Sequence, residues 1–152
     1  RVVYTGGTFD LPHSGHVNFL RHCSKIGDEV VVSLNTDEFI AHYKHHPPIM
    51  TYNERKSVIE AYSYVNRVIE NVGGADSKVA IELVKPDFIV IGSDWAARDY
   101  YKQMQFTQEW LDERDITLCY VPYTEGVSTT QLKKRMKKRF EDEARLAEEK
   151  KK

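Results

Sequence analysis

Val2-Val3-Tyr4-Thr5-Gly6-Gly7-Thr8-Phe9-Asp10-Leu11-Pro12-His13-Ser14-Gly15-His16 opens the chain and decides its architecture. The apolar run Val2 to Thr5 predicts a buried strand that breaks into a tight turn at Gly6-Gly7. Beyond it, Val17, Leu20, Cys23 and Ile26 recur every third residue, a helical stripe that Gly27-Asp28 stops. Glycines at the strand end let backbone approach a ligand closely. A helix start adds unsatisfied N–H groups and a dipole that favours phosphate. His13 and His16 stand three residues apart. With Pro12-His13 opening the helix, both imidazoles share one face, and Gly15 keeps that face uncrowded. Imidazoles aimed at a transferring phosphoryl group stabilise charge as it develops.

The same stretch excludes other phosphate-binding signatures. It lacks the Gly-x-x-x-x-Gly-Lys-Ser/Thr pattern of a Walker loop, and its glycine spacing is wrong for a dinucleotide fingerprint. No cysteine or further His/Asp pair nearby completes a tetrahedral metal set, so no dedicated metal site is expected.

Outward from this unit the chain alternates. Glu29 to Leu34 reads as a second buried strand and Asn35-Thr36-Asp37 as a cap feeding a short helix toward Ala41. His42 to Pro48 reads as a basic loop containing Lys44. A helix is predicted from about Asn53 to Ser63, a strand at Val65 to Ile69 and a helix at Ser77 to Val84, ended by Pro86. Phe88 to Ile91, a helix at Met104 to Leu111, a strand at Ile116 to Val121 and a last helix from Ser128 to about Glu149 follow. Five strands alternating with helices predict an α/β single domain with a Rossmann-like, mostly parallel sheet and helices on both faces. In such sheets the ligand crevice lies beyond the carboxyl ends of the strands. Residues 1–136 are read as the functional domain and 137–152 as its charged helical extension.

Composition narrows the partners. The 152 residues carry a formal net charge of -1, which argues against a general nucleic-acid binder. No apolar run approaches the roughly 20 residues of a membrane span, so no integral membrane association is expected. Cys23 and Cys119 read as buried free thiols, and a cytoplasmic setting is the default expectation.

Several scattered residues carry charge or hydroxyls suited to phosphate. Lys44 sits where a basic loop closes over phosphates and excludes water. Arg55 follows a capped helix start and offers a bidentate fork. Asp10 and Asp37 each follow a strand end. Asp10 suits either water-mediated Mg²⁺ contact or orientation of an acceptor, and helix capping accounts for Asp37 equally well. Trp95 suits stacking on a base, closure of a pocket or core packing. Gly126 through Thr130 joins a glycine turn to a hydroxyl-rich helix start, suited to a pyrophosphate leaving group. Lys133 to Arg139 holds six basic residues, read as an exposed amphipathic helix.

Taken together, Gly7-Thr8-Phe9-Asp10 with His13-x-Gly15-His16, and Thr124-Glu125-Gly126-Val127-Ser128-Thr129-Thr130, resemble the two signatures of the cytidylyltransferase family of nucleotidylyltransferases. The likeness runs from about Val2 to Met136 and is strongest toward the branch using glycerol 3-phosphate. It implies CTP as donor, Mg²⁺ carried with the triphosphate, a small phosphorylated acceptor and a homodimer. Position by position, it implies that His13, His16 and Lys44 are catalytic. Gly7, Thr8, Phe9, Arg55, Thr124, Gly126, Ser128 and Thr129 would bind nucleotide. Asp10, Asp37, Asp94, Trp95 and Tyr123 would face acceptor or base. Tyr123 stands where that branch carries Arg, and Ser63 and Asn66 replace charged residues. The implied chemistry is direct displacement at the α-phosphorus by an acceptor phosphate.

Overall fold

The strand that opens the chain, β1 (Val2–Gly7), lies at the centre of a five-stranded sheet. It pairs in parallel with β2 (Glu29–Leu34), from Val2 opposite Glu29 to Gly7 opposite Leu34. On its other side it pairs in parallel with β4 (Phe88–Gly92). The edges are β3 (Arg67–Glu70), beside β2, and β5 (Thr117–Val121), beside β4, so the order is β3-β2-β1-β4-β5 and every pairing is parallel. The computed structural model describes residues 1–92, 99–122, 124 and 126–151.

Near-continuous apolar strands are what a sheet covered on both faces requires. Val30, Val31, Val32 and Leu34 of β2 and Ile89 and Val90 of β4 are almost fully buried. On one face, α1 (Ser14–Ile26) lays Leu20 and Cys23 against the sheet, and α3 (Tyr52–Glu60) adds Ile59. The opposite face packs Tyr4, Ile89 and Ile91 against Ala80 and Ile81 of α4 (Lys78–Val84), Tyr100 of α5 (Tyr100–Met104) and Leu111 of α6 (Gln108–Asp112). This is the Rossmann-like domain that the sequence pattern predicts.

Two stretches differ most from expectation. The helix after β2, α2 (Asp37–Lys44), continues to Lys44 and ends in a left-handed His45 with φ 64, so Lys44 is helical and not a loop residue. The expected helix at Met104 to Leu111 is two short ones, split where Gln105 turns left-handed (φ 59) and Thr107 caps the next start. The last helix, α7 (Thr129–Lys150), is the one expected from Ser128 to about Glu149, with Ser128 as its N-cap.

The chain winds outward from β1 to β2 and β3, then crosses back to β4 and β5. The order therefore reverses between β1 and β4, whose carboxyl ends are Gly7 and Gly92. That reversal is where a crevice opens in such sheets.

Candidate nucleotide-transfer site

A cleft of about 450 Å³ opens at this reversal. Gly6, Gly7 and Thr8 line it, as does Gly92 at the end of β4. His13, His16, Ser128 and Thr129 border it at the starts of α1 and α7, and Lys44 borders it at the end of α2.

The two histidines build the start of α1 themselves. His13 is the N-cap, and its Nδ1 accepts the N–H of Gly15 at 3.0 Å. His16, three residues on, returns the bond: its Nδ1 accepts the N–H of His13 at 3.1 Å. The pair thus plays the part that Ser/Thr and Glu/Gln play in an ordinary capping box. A backbone N–H can only donate, so both Nδ1 lone pairs are committed, and the proton of each neutral ring sits on Nε2. Both rings therefore present an N–H donor. Their centroids are 3.9 Å apart. Burial lowers the pKa of His13, and burial plus the neighbouring His13 lowers that of His16 to about 4. Two imidazoles this close resist holding charge together, and both are neutral near pH 7.

Gly15 is required where it stands. A Cβ there would meet Cε1 and Nδ1 of His13 at 2.8 and 2.9 Å. Its missing side chain makes room for the ring that caps the helix.

The loop that delivers His13 is strained and clamped. Phe9 and Leu11 adopt left-handed φ values of 51 and 50, each costing roughly 1–2 kcal/mol for a residue with a Cβ. Three ties hold the loop. Arg55 donates from Nη1 to the Thr8 carbonyl at 2.7 Å. The Asp10 carboxylate accepts the N–H groups of Ile49 and Met50 at 2.8 and 3.0 Å. The Thr129 hydroxyl donates to the Asp10 carbonyl at 2.8 Å, joining the start of α7 to the loop. Phe9, almost fully buried among Leu20, Val32 and Ile59, sets its ring 5.1 Å from that of His16, tilted by 48°.

The expected residues divide. Gly7, Thr8, Phe9, Asp10, His13, His16, Lys44, Ser128 and Thr129 line one cleft. Arg55 does not border it. It is fully buried, and its guanidinium is occupied by the carbonyls of Thr8 and Met50 and by Asp37 at 2.7 Å. Asp37 gives its other oxygen to the N–H of Tyr52 and is likewise outside the cleft lining. The arginine is held beneath the loop by two backbone carbonyls and a carboxylate. Thr124 accepts from Asn18 at 3.0 Å, and Gly126 forms a left-handed turn (φ 77); neither lines the cleft. Asp94, Trp95 and Tyr123 lie outside the described residues.

The cleft also contains Asn35, read from the sequence as part of a helix cap, and residues that pattern reading passed over. Asn71, after β3, donates to the Gly74 carbonyl and to Asn35 Oδ1, and Asn35, after β2, donates to Thr8 Oγ1 at 3.2 Å. The Gly74 carbonyl can only accept, so it orients this whole amide chain. Phe39, Tyr43, Tyr100 and Met104 add an aromatic and apolar wall. Each asparagine follows a strand end, which was the available signal.

Among the described residues no group of three or more His, Cys, Asp or Glu side chains is arranged to hold a metal, and no helix is long and apolar enough to cross a membrane.

Comparison with known proteins gives a consistent result. A family model described as cytidylyltransferase-like matches residues 4–135. The chain is 35% identical over 135 residues to glycerol-3-phosphate cytidylyltransferase of Staphylococcus aureus, covering 88% of this chain and 93% of that one. It is 39% identical over 92 residues to FAD synthase of Pyrococcus horikoshii, covering 60% and 62%. Among solved structures, a lipopolysaccharide core biosynthesis protein from Thermoplasma volcanium superposes with a TM-score of 0.64 at 30% identity, covering 81% of this chain and 95% of the other.

Proposed function

The chain belongs to the cytidylyltransferase-like family, and on that premise we propose that it transfers a cytidylyl group from CTP to glycerol 3-phosphate, forming CDP-glycerol and releasing pyrophosphate. One observation carries the reading: two neutral imidazoles, each locked as an Nε2–H donor, share a cleft with Lys44 and the start of α7. The relatives that act on glycerol 3-phosphate, similar over nearly their whole length, support the acceptor.

In the proposed reaction a phosphate oxygen of the acceptor attacks the α-phosphorus. A new P–O bond forms as the bond from the α-phosphorus to the bridging oxygen of pyrophosphate breaks, and pyrophosphate leaves in line. A phosphomonoester is largely ionised at neutral pH, its second pKa being about 6, so no protein base is needed. The histidine Nε2 atoms already carry protons and act as donors to the developing charge. A well-placed donor of this kind contributes about 2.7–4 kcal/mol. Lys44 offsets phosphate charge as acceptor and nucleotide approach. Free N–H groups at the start of α7 receive the departing pyrophosphate. The acid on the cleft wall, Asp10, has both oxygens bonded to backbone, so the described residues provide no ready-made metal set. Mg²⁺ is proposed to enter on the oxygens of the triphosphate.

A second acceptor reading has its own support. The aromatic wall of Phe39, Tyr43 and Tyr100 and the likeness to FAD synthase suit a larger planar acceptor such as FMN, with ATP as donor. Pyrophosphate release with CTP, Mg²⁺ and sn-glycerol 3-phosphate, set against ATP with FMN and against sugar, polyol and amino-alcohol phosphates, tests both. Turnover with CTP and glycerol 3-phosphate far above all other pairs is expected. Release confined to ATP and FMN establishes the second reading.

A further inference from the structure

An asparagine follows each of the strands β2 and β3. The backbone N–H of Asn35 donates to the Gly7 carbonyl at 2.9 Å, and that of Asn71 to the Leu34 carbonyl at 2.9 Å. Each bond carries the parallel ladder one residue past its strand, so the two side chains meet along the carboxyl edge of the sheet, and both line the cleft. Their side-chain bonds run from β3 toward β1. Asn71 Nδ2 donates to the Gly74 carbonyl at 3.0 Å and to Asn35 Oδ1 at 2.9 Å. Asn35 Nδ2 in turn donates to Thr8 Oγ1 at 3.2 Å.

One end of this chain fixes its direction. A carbonyl has no hydrogen, so Asn71 turns its NH2 toward Gly74. Its oxygen is then left over: Asn71 Oδ1 is buried without a hydrogen-bond partner among the described residues. Such an orphan costs the fold free energy, and a network kept for stability alone gains little from one. Asn35 follows suit, with its oxygen toward Asn71 and its NH2 toward Thr8. Thr8 Oγ1 must therefore accept, and its single hydrogen points elsewhere. Among the described residues the other neighbour of that hydroxyl is Tyr43 Oη at 3.5 Å, beyond the range of a firm O–H···O bond. The hydrogen is left for the cleft.

Resting on the reading that the cleft takes phosphorylated substrates, we infer that Asn71 and Asn35 are positioning residues, which aim the Thr8 hydroxyl hydrogen at a phosphate oxygen. Neither amide touches the substrate; both act through Thr8. An ionised phosphate oxygen only accepts, and a hydrogen bond to it is charge-assisted. A hydroxyl without the relay rotates freely and can turn a lone pair toward the phosphate. The relay removes that orientation before substrate arrives, so the donor is set in advance. The phosphate belongs either to the triphosphate or to the acceptor, and two measurements separate these.

Calorimetric titration with CTP and Mg²⁺ gives the nucleotide Kd. Steady-state pyrophosphate release gives KM for sn-glycerol 3-phosphate, or for FMN with ATP where that pair turns over. Thr8→Val is expected to weaken one of the two constants by roughly 10- to 100-fold, the worth of a hydrogen bond to a charged group, while Thr8→Ser stays near wild type. The constant that moves names the source of the phosphate. Asn35→Ala and Asn71→Ala are expected to weaken the same constant by roughly 3- to 10-fold, as loss of a neutral hydrogen bond does. In the Thr8→Val background each should add less than about 2-fold, because residues acting through one group are not additive. Asn71 is buried, and if Asn71→Ala does not fold, the Asn35 cycle decides alone. An Asn35→Ala loss of equal size with and without the Thr8 hydroxyl overturns the inference, since it places the amide on the substrate itself. So does an unimpaired Thr8→Val, or a Thr8→Ser as weak as Thr8→Val. Nucleotide binding that shows this coupling with no pyrophosphate release under any acceptor sinks the proposed reaction and leaves the relay standing. Binding of neither CTP nor ATP overturns both.

Discussion

His16 accepts the backbone N–H of His13, while His13 accepts that of Gly15, so each imidazole is at once part of the capping box and part of the cleft lining. The two roles separate experimentally. Glutamine at the third helical position is an ordinary capping-box partner. His16→Gln is therefore expected to keep the helix start and lose the ring donor. Its melting midpoint at pH 7 should lie close to wild type, while pyrophosphate release falls roughly 10²–10³-fold, the loss typical of one such donor. Unimpaired release in His16→Gln would remove His16 from the proposed mechanism.

The burial of His16 also makes stability depend on pH. Folding lowers the His16 pKa from its ordinary 6.5 to about 4, through burial first and His13 second. Unfolded chains thus bind more protons between these values, and stability rises with pH there. The contribution is complete above pH 6.5 and is lost as pH falls toward 4, amounting to at most about 3 kcal/mol. Burial lowers the His13 pKa too, in the same direction. Thermal melts from pH 7 to 4.5 should show a progressive decline that His16→Gln flattens. An equal decline in both proteins would assign it to other groups.

Gly15→Ala should lower activity far more than stability. Alanine favours helix over glycine by up to about 1 kcal/mol, and loss of the cap bond from Gly15 N–H to the His13 ring costs about as much, so the melting midpoint should change little. The new methyl group, however, takes the place of the His13 ring, whose atoms stand 2.8 and 2.9 Å from it. A displacement of about 1 Å at a reacting group costs about 10²-fold. Steady-state pyrophosphate release with a parallel melt checks both, and a fully active variant contradicts the assigned position of His13.

Local pattern carried much of this architecture. The glycine break after Thr5, the three-residue stripe of α1 and the apolar run of β2 each follow from neighbouring residues, and together they placed the cleft. Where the structure departs from that reading, long-range or unmarked geometry is the cause. Gln105 and His45 both take left-handed conformations that glycine usually signals, so the break before α6 and the extension of α2 through Lys44 left no trace in composition. The Asn71 and Asn35 side chains meet only because β3 lies beside β2. The destination of Arg55 depends on Thr8, 47 positions away.

Arg55 and Lys44, two cations expected at phosphates, should behave as opposites. Arg55 is fully buried, and its partners are two carbonyls and Asp37. Removing one member of a buried ion pair typically costs 3–5 kcal/mol, and lysine lacks the fork that reaches three acceptors. Both Arg55→Met and Arg55→Lys should lower the melting midpoint by roughly 6–20 °C, with activity falling as the Thr8–His13 loop loses its clamp. Lys44 is exposed on the cleft rim and makes no ion pair among the described residues. Lys44→Ala should leave the midpoint within about 2 °C, as exposed positions usually do. Its kcat/KM should drop about 10²-fold, within the roughly 4 kcal/mol that two charges 4 Å apart exchange near a protein surface. A stable, inactive Arg55→Lys would return Arg55 to the phosphates, and an unstable Lys44→Ala would take Lys44 away from them.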